Sequence, residues 1–90
     1  MARVSRVISG DPARVAAQIN TLAATERILI VEKTFSSGAY IVVTENTTPN
    51  GQTCQVVKGA PAAVAALLNG ITVDILCPTF SASQYIRVRR

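Results

Sequence analysis

Ninety residues suffice for one domain and leave no room for a second with its own core. Hydrophobic residues make up 49% and charged residues 16%, with no low-complexity stretch, which excludes a disordered chain. The net charge of +4 is too modest to dictate an anionic partner, and two cysteines without a histidine exclude an ordinary zinc site within one chain.

In chain order, a β-rich run from Val4 to Ile8 meets Gly10, and Pro12 then stands where a helix begins. Asp11 is placed as its N-cap, and Val15, Ile19 and Leu22 recur at helical spacing as one buried stripe ending near Asn20. A strand follows, with Ile28 and Ile30 expected toward the helices and Leu29 and Val31 on the other face. After a turn from Phe35 to Gly38 comes a strand expected to send Ile41 and Val43 inward and Tyr40, Val42 and Thr44 away. Pro49-Asn50-Gly51 marks a joint, and the plan then repeats. Thr53 to Lys58 is a strand, Gly59 the break, and Pro61 to Asn69 a helix whose cap position holds only Ala60. Val73 and Ile75 match Ile28 and Ile30, with Asp74 and Leu76 on the reverse face. Ile86 and Val88 match Ile41 and Val43, leaving Tyr85, Arg87 and Arg89 pointing away.

The correspondence is a repeat in the sequence itself. The stretch from Val7 to Asn20 aligns without a gap on Val56 to Asn69, sharing the Val, Gly, Pro-Ala, Val-Ala-Ala and Asn positions. A second block, Thr34-Phe35-Ser36 with Tyr40-Ile41 and Val43, aligns on Thr79-Phe80-Ser81 with Tyr85-Ile86 and Val88. Two such blocks in the same order indicate an internally duplicated α+β domain of the form βαββ-βαββ. It spans residues 1–90, with repeat one over about 2–45, a linker over about 46–52 and repeat two over about 53–90. The expected sheet is antiparallel, with a mixed one as the variant. Its first strands pair at the centre, its third strands form the edges, and both helices lie on one face about a pseudo-two-fold axis. That arrangement is similar to an extended ferredoxin-like topology, which implies no activity. The runner-up is a meander in which strands two, three and four pair in sequence order.

Catalysis finds no support in the residues. The five acids, Asp11, Glu26, Glu32, Glu45 and Asp74, form no pair repeated across the copies, and general acid–base work needs a titratable group held against a reacting one. Cys54 and Cys77 have no basic neighbour apart from Lys58 and read as buried structural thiols. No enzyme activity, cofactor or metal is expected. Self-association has the stronger physical case, because the second helix carries no charged side chain and the first only Arg14. A two-layer domain of this size leaves one sheet face uncovered unless a partner covers it. The reading is a non-enzymatic, homo-oligomeric structural or interaction module, with a dimer as the first expectation and a viral or other assembly as a setting that suits the composition. Leu29, Val31, Val42, Leu76 and Val64 are the candidate contacts.

A nucleic-acid-binding module is the alternative, with Arg87, Arg89, Tyr40 and Tyr85 offering cations and stacking rings on an open sheet face. A small ligand or regulator at the seam between repeats or subunits is the third reading. The N-terminus has neither the apolar stretch nor the cleavage site of a secretory signal, and no run is apolar enough to span a bilayer. No membrane partner is expected. The expected compartment is the cytoplasm, that of a host if the chain is viral.

Overall fold

The computed structural model describes residues 2–90. Its elements are β1 (Arg3–Ser9), α1 (Pro12–Ala23), β2 (Arg27–Lys33), β3 (Ala39–Glu45), β4 (Thr53–Lys58), α2 (Pro61–Leu67), β5 (Val73–Pro78) and β6 (Gln84–Arg89). The expected βαββ order is present in each half, and local details recur with it. Gly10 and Gly59, at φ +137° and +136°, turn the chain out of a strand and into a helix, a backbone region that side chains rarely adopt. Each donates its N–H to the tip of its own hairpin, Gly10 to the carbonyl of Gly38 and Gly59 to that of Ser83, both at 3.0 Å. The Thr34 hydroxyl donates to the carbonyl of Ala39 at 2.8 Å, and the Thr79 hydroxyl to that of Gln84 at 2.9 Å, so a threonine closes each β-hairpin.

The helices differ where their caps differ. The carboxylate of Asp11 accepts from the N–H of Arg14 at 2.8 Å and starts a helix of 12 residues. Ala60 offers no such bond, and α2 runs for only 7 residues.

The strands form two three-stranded antiparallel sheets, sheet one in the order β1-β3-β2 and sheet two in the order β4-β6-β5. This corrects the expected single six-stranded sheet. The third strand of each half is central, not an edge, because a short turn folds it back on the second strand. Its other side then takes the first strand, which the helical crossover has set parallel to the second. β1 and β4 are thereby each at an edge of their own sheet and do not pair with one another. The meander is half present: β2 pairs with β3, and β3 does not pair with β4.

Side-chain directions also depart from strict alternation. A bulge shifts the register between Ile28 and Ile30, and its counterpart lies between Val73 and Ile75. One extra residue reverses the inward phase, so Ile28 and Val31 are both buried while Ile30 is exposed. On β3 the buried residues are Tyr40, Val42 and Thr44, opposite to expectation, and Ile41 is exposed. On β6, Ile86 and Val88 are buried as expected. The two halves thus turn non-equivalent faces to a common core. That core joins Val15, Ala16, Ile19 and Ala23 of α1 to Ile28, Val31, Tyr40 and Val42 of sheet one and Cys54, Cys77, Ile86 and Val88 of sheet two. Val57, Arg87 and Val64 are buried outside this cluster, which places α2 over the opposite face of sheet two. The helices therefore do not share one face of one sheet: α1 lies against both sheets, and α2 lies outside.

Candidate functional site

The junction between the halves is built from side chains that reach backbone. On α1, the amide of Asn20 accepts from the N–H of Cys54 at 2.7 Å and donates to its carbonyl at 2.8 Å. One side chain thus occupies the N–H and C=O of Cys54 on the edge strand β4, where an additional strand would otherwise pair. Gln52, buried in the linker, does the same for Ile28 at the bulge of β2, accepting from its N–H at 2.7 Å and donating to its carbonyl at 2.9 Å. It also donates to Asp74 at 2.9 Å, tying β2 to β5. A third link is aromatic: the Phe80 N–H donates to the Tyr40 hydroxyl at 3.2 Å, and the two rings meet edge to face at 5.5 Å. Sequence reasoning placed Asn20 at a helix stop and Gln52 in a loop. The repetition of Asn20 as Asn69 was the available signal for the former, and Gln52 gave none.

The ionisable groups are mostly engaged. Arg6 donates to both carboxylate oxygens of Glu26, at 3.3 and 3.2 Å, and Thr44 donates to the same carboxylate. The Thr44 hydroxyl first, and then the Arg6 guanidinium, hold the Glu26 carboxyl below its ordinary value. Burial pushes the Cys54 thiol up to about 12 and raises that of Cys77, so neither is a ready nucleophile. Among the described residues no group of cysteines and acids is placed to hold a metal ion. No helix of the described residues is long and apolar enough to cross a membrane. A cleft of about 300 Å³ opens at the seam beside Arg27, Leu29, Asn50, Gln52, Asp74 and Arg90. Within it Arg90 pairs with Asp74 at 2.9 Å, and Arg27 donates to the neutral Thr48 carbonyl at 2.8 Å.

The residues singled out from the sequence fall into three groups. Val31, Val42 and Val64 are interior, because the bulge and the inverted face of β3 turn the first two under α1 while Val64 anchors α2. They are not surface in the single chain. Leu29 is half-buried at the cleft, and Leu76 is exposed. Of the four nucleic-acid candidates, Tyr40 is buried in the core, and Arg87 is buried with a guanidinium that donates to Gln55. Arg89 and Tyr85 are half-buried on the face of sheet two that α2 covers. The structure does not gather these four on one open face.

The apolar surface lies elsewhere. The outer face of sheet one presents Val7, Ile30 and Ile41, which are 70%, 47% and 41% exposed, with Val43 beside them. On the opposite side of the molecule Leu67 and Leu76 are exposed, and Phe35 stands fully in solvent on its hairpin. Sequence reasoning assigned Ile30, Ile41 and Val43 to the core. The bulge and the choice of inward face are tertiary facts that alternation alone does not carry.

A scan against models of known protein families, a search of curated proteins and a search of solved structures each return no match.

Proposed function

We propose that this chain is a non-enzymatic structural or interaction module that works as a homo-oligomer, a building block of a larger assembly. The observation that supports the reading is the outer face of sheet one, where Val7, Ile30 and Ile41 are exposed on one continuous β-branched surface. Single exposed apolar residues are ordinary on a soluble domain. A contiguous set on a flat sheet face, bounded by the edge strand β1, invites burial against another chain. The engagement of Asp11, Glu26 and Asp74 within the chain and the suppressed thiols fit a role in binding better than one in chemistry. Sedimentation velocity at micromolar concentration tests the reading. A species heavier than the 9.5 kDa chain is the expected result. A lone monomer across that range rejects it.

A further inference from the structure

The junction inside the chain is directional. The helix side of the first half, carrying α1, Tyr40 and Val31, lies against the strand face of the second half carrying Cys54, Ile86 and Val88. Left over are the same two surfaces of the other half: the helix side of the second, with α2, Tyr85 and Leu76, and the strand face of the first, with Ser5, Ile41 and Val43. Two counterpart pairs on the sheets differ in burial as that directionality requires. Ile86 is 0% exposed and Ile41 41%; Val31 is 3% exposed and Leu76 40%. Each buried member faces the other half, and each exposed member is left partly open to solvent in the single chain.

We infer that a second copy of this chain covers these surfaces, its first half docking on the second half of the copy before it, so that the in-chain junction is repeated head to tail. The inference rests on the homo-oligomeric reading above and names its interface. Asn69 corresponds to Asn20 and is exposed. Its natural target is Ser5 of the next copy. Ser5 holds the same register against Val43 that Cys54 holds against Val88, so its N–H and C=O point to the open edge of β1. Phe35 of the next copy corresponds to Phe80 and would sit on Tyr85 as Phe80 sits on Tyr40, which accounts for a fully exposed ring at that hairpin. Ala65, the exposed counterpart of buried Ala16, would face the sheet. The charges are compatible: Glu32 lies on the strand face of the first half, while Arg87 lies on the helix side of the second with its Nε buried and unpartnered. A junction between two unlike surfaces is heterologous, so it generates a ring if the rotation closes and a filament if it does not.

The test uses two variants of the full chain, Ile41→Lys and Ala65→Lys, each at an exposed position and each blocking one of the two surfaces. Both new charges are positive, so the blocked surfaces cannot pair with one another. Each variant alone is expected to sediment as a monomer with an unchanged circular dichroism spectrum. An equimolar mixture is expected to form a species of two chains and no larger, because each variant keeps the surface that the other has lost. Wild-type oligomers persisting in either variant would overturn the head-to-tail junction and leave the homo-oligomeric reading standing; a monomeric wild type overturns both. Should a lysine variant fail to fold, Phe35→Ala with Asn69→Ala removes only exposed groups. That pair should weaken association by at least about tenfold, equivalent to ~1.4 kcal/mol. Unchanged association in the pair equally overturns the junction.

Discussion

Gln52 satisfies the N–H and C=O of Ile28 and one oxygen of Asp74 with a single amide, at a bulge where β2 has no strand partner on that side. The cost of losing it is set by what it leaves behind, since a buried backbone donor and acceptor without partners lose their full solvation. Gln52→Ala should lower unfolding free energy by ~1–3 kcal/mol, read as a drop in urea midpoint at constant slope. A midpoint unchanged would show that water replaces the amide. The cysteines give a second residue-scale expectation. Burial favours the neutral thiol and holds Cys54 near 12, so at pH 8 an aromatic disulfide reagent should modify neither Cys54 nor Cys77 in the folded chain and both in denaturant. Rapid reaction of the folded protein would mean that the core opens far more readily than its packing implies. The buried character of both thiols was legible from the sequence only through the lack of a cationic neighbour other than Lys58. The role of Gln52 was not, because an amide in a Pro-Asn-Gly linker looks the same whether it faces water or a bulge twenty-four residues away in sequence.

At the scale of elements, the clearest contrast is between two helices of common pattern and unequal length. Asp11 supplies both a hydrogen bond and a charge suited to the positive end of α1, whereas Ala60 supplies neither. Asp11→Ala should therefore cost ~1 kcal/mol and Ala60→Asp should gain a similar amount, each measured by thermal or urea unfolding of the intact chain. A gain at Ala60 without a loss at Asp11 would contradict the capping account. The weak cap of α2 was readable directly from the aligned repeats. The bulges were not readable, since Ile28, Leu29, Ile30 and Val31 are all apolar and any two-residue phase fits them. Only the pairing with β3 decides which of them face inward.

At the scale of the whole molecule, the two halves are alike in order, strand arrangement and turn chemistry and unlike in environment. One half presents its helix side inward and the other its strand face, so the chain ends with one unmatched surface of each kind. That asymmetry is the reason association by the proposed junction should not stop at two wild-type chains unless a ring closes there. It also sets where the candidate contact residues lie in the single chain. Leu76 is exposed, but Val31 and Val42, which share its helix-side face in the first half, are covered by the second half.

By itself the sequence determined two aligned blocks, a βαββ order in each half, the helix starts at Pro12 and Pro61 and the turns at the two threonine-led hairpins. These rest on interactions among neighbours a few residues apart, which residue type and spacing encode. Tertiary structure alone decided that the strands divide into two sheets, that the third strand of each is central, and that opposite faces of equivalent sheets meet across α1. Those outcomes follow from which apolar surfaces bury most area together. Both faces of both sheets carry β-branched residues, so local pattern leaves the choice open and the packing of the whole chain makes it.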